Sequence, residues 1–187
     1  MSSRHFLFIY LFFIYSCEKN YTPKPRGYFR IDFPKKEYQI YNSNCPFSFE
    51  YPTYSTISID TDLNSEPCWL NLDFQKFKGR LHISYKVLKN DLQKFSEDSR
   101  TLAYKHSLKA SGITETEIHT PNHVYGILYN IEGNAASSIQ FFVTDSTKHF
   151  LRASMYFNVQ PNFDSLAPVV QFISYDINKM INTIKWK

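Results

Sequence analysis

Ile14-Tyr15-Ser16-Cys17 sets a thiol directly behind a small residue, at the end of an unbroken apolar and aromatic run, Phe6–Tyr15. A thiol so placed is an acylation substrate. The pattern resembles a bacterial lipobox, which implies cleavage before Cys17 and lipid on its sulfur. Ile14 stands close to the usual leucine, whereas Tyr15 departs from the small residue expected there. The alternative is a plain secretory signal with Cys17 an incidental thiol. The apolar run has the length of a signal-peptide core and falls well short of the ~18 residues of a membrane span. Several acyl chains, each methylene contributing ~0.8 kcal/mol, would make the anchor effectively permanent.

Two further cysteines remain once Cys17 is set aside. Cys45 and Cys68 precede expected strands, and an exported domain meets oxidising conditions, so they are expected to pair as a disulfide. The alternative is two buried free thiols acting as small hydrophobes. Other chemistry is sparse. His119 and His123 are four apart, but Pro121 between them argues against a helical metal pair and for exposed turn histidines. Asp60, Asp62 and Asn64 faintly suggest a calcium loop, yet Ser65 stands where the glycine is needed, which favours a polar turn. His106 falls on an apolar helix stripe, as a half-buried core residue does. Trp69 and Trp186 read as core. No sequence pattern of a serine hydrolase, zinc protease, phosphate loop or dinucleotide fold is present. We therefore expect no enzyme, no cofactor and no metal.

A second kind of chemistry lies between the anchor and the domain. Lys24, Arg26, Arg30, Lys35 and Lys36 outnumber Asp32 and Glu37, with Tyr28, Phe29 and Phe33 interleaved. Such a stretch is either a docking segment for a partner or anionic head groups, or a solvated spacer. The aromatics bring docking level with the spacer reading, since a pure spacer does not need phenylalanine.

The elements that must carry these residues follow from 187 residues, of which 43% are hydrophobic and 20% charged: about one globular domain. A formal net charge of +4 is too mild to imply nucleic acid. Residues 1–16 read as signal, 17–44 as lipidated cysteine plus tether, and 45–187 as one domain. Alternation predicts strands at 47–51, 57–59, 70–74 and 79–87. A helix is expected over about 91–110, capped by Asn90 and stopped at Gly112. Strands at 113–119, 124–131, 138–144 and 149–158 follow. A last helix opens at Asp164-Ser165, with Pro168 in its first turn and a wide stripe from Leu166 to Ile184. The order predicts an α+β fold, a largely antiparallel sheet with two covering helices, similar to the PsbP-like α/β/α sandwich.

Tyr21–Phe33 (YTPKPRGYFRIDF), Pro46–Pro52 (PFSFEYP) and Cys68–Phe74 (CWLNLDF) resemble the GldD family of Bacteroidetes gliding lipoproteins. The Gly126 and Phe142 neighbourhoods do so more loosely. The resemblance implies a part in gliding motility and the type IX secretion machinery, and no catalytic residues. Through it, Asp145-Ser146-Thr147 and Asp164-Ser165-Leu166 gain meaning as O-glycosylation patterns at Ser146 and Ser165. Each is otherwise a turn and a helix cap.

Two functions follow. One is a non-enzymatic, lipid-anchored envelope protein facing the periplasm. It would act through contacts with other gliding or secretion proteins, docked by Lys24, Arg26, Tyr28, Phe29 and Arg30. The other is a periplasmic ligand- or glycan-binding module.

Overall fold

The computed structural model describes residues 30–187, and its main folded unit runs from Asp32 to Lys187. The strands are β1 (Tyr38–Asn42), β2 (Phe47–Pro52), β3 (Thr56–Ile59), β4 (Leu70–Phe74), β5 (Gly79–Val87), β6 (Ala110–Thr120), β7 (Val124–Gly133), β8 (Ser137–Thr144), β9 (His149–Phe157) and β10 (Lys185–Trp186). The helices are α1 (Leu92–Tyr104) and α2 (Phe163–Thr183). The fold is α+β, and every strand pairing is antiparallel.

Seven strands form one sheet in the order β3-β4-β5-β9-β8-β7-β6. One face is apolar along cross-strand rows. Leu72, Leu81, Met155 and Ile139 make one row, and Ile83, Ala153, Phe141 and Leu128 the next. Alternation alone puts these side chains on one side of the pleat. That side carries α2, whose stripe Val169, Ile173, Ile177, Met180 and Ile181 is buried. A three-stranded sheet, β1-β2-β10, packs beside it, with Phe47 of β2 against Tyr85 of β5 at 5.5 Å. The opposite face carries α1 over Tyr129, Ile131, Phe142 and Phe150. Gly126 lies against β8, and a Cβ there would stand 1.9 Å from the Phe142 carbonyl oxygen. No other residue type fits without moving that backbone.

Several expectations are corrected. Residues 32–44 are not tether: β1 pairs residue for residue with β2, and the Thr53 N–H donates to the Glu37 carbonyl at 2.9 Å. The first expected strand, β2, joins the small sheet rather than the large one. α1 ends at Tyr104, short of Ala110, because turns over 105–109 lead directly into the long β6. Leu108 is consequently 92% exposed, and Gly112 lies within β6. Asn90 does not cap α1. It adopts a left-handed backbone (φ 63°), which asparagine tolerates, and Asp91 takes the cap position. The Asp91 carboxylate accepts from the Lys89 N–H rather than from the helix. The α2 cap is Asn162, whose side chain accepts from the Ser165 N–H at 3.2 Å. Asp164 sits in the first turn, where the helix dipole favours it, and Pro168 lies inside the helix beyond that turn.

Candidate functional site

The segment entering the fold is held by one buried carboxylate. Asp176 occupies the apolar stripe of α2, between Ile173 and Met180, and is 1% exposed. Three donors converge on it. The Lys36 ammonium reaches Oδ1 at 2.7 Å, as does the Tyr38 hydroxyl, and the Tyr54 hydroxyl donates to Oδ2. Lys36 also donates to the Phe172 carbonyl at 2.9 Å and stands 3.8 Å from the centre of the Phe172 ring. Phe33 stacks on that ring at 4.4 Å. Burial, then the bonds to Asp176, push both tyrosine hydroxyls well above the ordinary phenol range. They stay protonated and serve as donors. The chain from Phe33 to Tyr38 is thus clamped along α2 by an ion pair, the Tyr38 hydroxyl and a ring stack, while Tyr54, after β2, holds the other carboxylate oxygen.

The residues expected to matter are distributed as follows. Cys17, Lys24, Arg26, Tyr28 and Phe29 lie outside the described residues. Arg30 is described and exposed, two residues before the folded unit. Cys45 and Cys68 are joined as a disulfide with Cα atoms 5.6 Å apart. Ser146 is exposed at the β8–β9 turn with φ 69°, beside Asp145, whose Oδ1 accepts from the N–H groups of Thr147, Lys148 and His149. Burial pushes the Asp145 carboxyl up, but those donors outweigh it and hold it down at about 2. Ser165 is exposed in the first turn of α2. His119 and His123 are exposed. Asp60 and Asp62 form a polar turn, with the Asp62 N–H on the Asp60 carboxylate at 3.1 Å. Trp69 and Trp186 are half-buried rather than core. Among the described residues, no three His, Cys, Asp or Glu side chains gather as a metal site.

A second constellation lies on the α1 side of the large sheet. One cross-strand row there is polar from edge to edge: Ser58, Asn71, His82, Ser154, Gln140, Tyr129 and Glu115 face one another across all seven strands. Asn71, Ser154 and Gln140 are buried, and Asn71 Oδ1, Ser154 Oγ, Gln140 Nε2 and the Tyr129 hydroxyl have no partner among the described residues. Burial pushes the Tyr129 hydroxyl up to about 12. Beside the row, Arg152 donates to Gln140 Oε1 at 2.6 Å. Burial lowers its guanidinium from the ordinary arginine value, and the Tyr156 and Tyr129 phenols offset this only in part. A recess of about 230 Å³ opens here, with Arg152 and Ser154 meeting Trp69, Tyr156, His82 and Asp60. Burial and then Arg80 push His82 down, so it is neutral at pH 7. A separate apolar cleft of about 360 Å³ runs under the first half of α2, between Phe163, Leu166 and Val170 and the strand residues Ile131 and Ile139.

A family model described as gliding motility lipoprotein GldD matches residues 18–186. The chain belongs to that family. GldD membership implies a lipid-anchored envelope protein with a general role in gliding motility. Among the described residues no helix is long and apolar enough to cross a membrane. No curated protein matches the chain. Among solved structures it is similar to the solution structure of cyanobacterial PsbP (CyanoP) from Synechocystis, at 10% identity and a TM-score of 0.47, over 82% of this chain and 95% of that one. Nothing functional is carried over from it.

Both constellations escaped the sequence reading. Asp176 had a signal, a carboxylate inside an otherwise apolar helix stripe, where a charge requires a partner. Its partners Lys36, Tyr38 and Tyr54 lie more than a hundred residues away in the chain, so no spacing could name them. Arg152, Ser154 and Tyr156 alternate along β9 and read as an ordinary solvated face.

Proposed function

We propose that this GldD-family protein is a non-enzymatic adaptor of the gliding and type IX secretion machinery. It is anchored through lipid on Cys17, with its domain facing the periplasm. The basic and aromatic segment Lys24, Arg26, Tyr28, Phe29 and Arg30 makes the protein–protein contacts. The observation that carries this reading is the Asp176 clamp. Lys36 and Tyr38 fix the chain just after that segment to Asp176. Arg30 lies six residues before Lys36, at most ~22 Å of extended chain. The Cys45–Cys68 disulfide supports export to an oxidising compartment.

Cys17→Ser tests the anchor. The variant is expected to leave the membrane fraction, or to stay uncleaved, and to lose gliding although its domain folds. Continued incorporation of labelled fatty acid by the variant, or normal gliding by a fully soluble form, would refute the reading.

A further inference from the structure

We infer that the recess on the α1 side of the sheet is a binding site for a carboxylate-bearing monosaccharide, with the Arg152 guanidinium as its anion anchor. The inference stands apart from the docking segment and would survive its failure.

Three observations carry it. First, the guanidinium is half-buried and donates to the neutral Gln140 side chain, with the Tyr129 and Tyr156 phenols nearby; among the described residues no carboxylate lies within ion-pair distance. A desolvated cation without a counter-charge is costly, and a planar fork of donors matches a carboxylate. Second, Ser154 is 3% exposed, lines the recess and has an Oγ without a partner among the described residues. A buried polar atom is rarely left so, and a ligand hydroxyl would satisfy it. Third, the walls suit a hydroxylated ring. The Tyr156 and Trp69 rings line it, which suits a ligand's C–H surface, and the His82 ring centre stands 5.8 Å from that of Tyr156. The Asp60 carboxylate offers an acceptor for its hydroxyls.

Charge selects among anions. Among the described residues Arg152 is the only fixed cation lining the recess; His82 is neutral, and Arg80 outside it is paired with Asp73 at 2.6 Å. Asp60 repels a second negative charge. A monoanionic carboxylate is therefore favoured over a phosphate dianion. The volume of about 230 Å³ holds roughly eight waters' worth of liquid, which is monosaccharide scale and below the usual range for larger ligands.

The test is calorimetric titration of the full lipidated chain in detergent with D-glucuronate, D-glucose, acetate and inorganic phosphate. Glucuronate is expected to saturate in the millimolar range, the other three to bind at least about tenfold more weakly. Arg152→Gln is expected to weaken glucuronate at least about tenfold while thermal stability holds or rises, since an uncompensated charge is removed. If that variant fails to fold, Ser154→Ala decides, with several-fold weakening expected. No saturation by glucuronate, equal binding by glucose, acetate or phosphate, or undiminished binding by the deciding variant overturns the proposal.

Discussion

Asp176→Ala should loosen the entering segment more than any other single side-chain truncation near it. The wild-type carboxylate is 1% exposed and receives one ammonium and two hydroxyls. Breaking a buried pair by removing one partner typically costs ~3–5 kcal/mol. The Lys36 side chain is 29% exposed, however, so its ammonium can turn towards water. The stranded charge therefore falls at the lower end, and we expect about 3 kcal/mol for Asp176→Ala. Asp176→Asn keeps one acceptor but sets an amide N–H₂ against a donor, for about 2 kcal/mol. Lys36→Met leaves a buried carboxylate with two hydroxyls. Combined with Asp176→Ala it should cost at least ~1 kcal/mol less than the sum of the two, because the partners are coupled. Urea denaturation reads these values, and the rate of tryptic cleavage after Lys35 and Lys36 reads local release. Alkaline titration gives an independent check. In the wild type the Tyr38 and Tyr54 phenols ionise above their ordinary value, so their contribution is complete below pH ~10 and is lost only as pH rises further. In Asp176→Ala both should ionise nearer the ordinary value. A variant within ~0.5 kcal/mol of wild type, with unchanged cleavage and unchanged phenol titration, would refute the clamp.

Two other outcomes follow from the geometry. Removing the Cys45–Cys68 link by double substitution to serine should lower stability by roughly 3 kcal/mol, the chain-entropy value for a bridge across 23 residues of separation; thiol counting on denatured, unreduced protein should find neither cysteine reactive, and two reactive thiols would sink the idea. Asp145 titrates at about 2 when folded against 3.8 otherwise, so its contribution is present above pH ~4 and is lost as pH falls towards 2. After allowance for solvent screening that is about 1–2 kcal/mol. Asp145→Asn should lose this acid-sensitive part, and acid unfolding curves that superimpose would contradict the assignment.

The strands were legible because alternation is a local signal. Leu70, Leu72 and Phe74, or Phe150, Arg152 and Ser154, declare their faces without any partner. Element ends were less legible, for identifiable reasons. Asn90 is a good cap by type, but here it is needed for a left-handed turn. Ala110 continues a helical stripe, but it pairs with Gly133 in a sheet. The segment 32–44 looked like tether because its ties are tertiary: β1 depends on β2, and Lys36 on Asp176. Illegible in principle was the second site, since a polar strand face reads alike whether water or a neighbouring element covers it. Only the register that lines up His82, Ser154 and Gln140 shows that the polar row runs into the interior.

The central claim is that the basic and aromatic segment before the clamp acts by contact with envelope partners. Its most direct test is gliding and type IX secretion in cells whose only copy carries Arg26→Ala and Arg30→Ala, with abundance, lipidation and thermal stability measured alongside. The account predicts loss of motility and of secreted cargo while the protein stays abundant, anchored and folded. Normal gliding and secretion by that variant at wild-type abundance would contradict it.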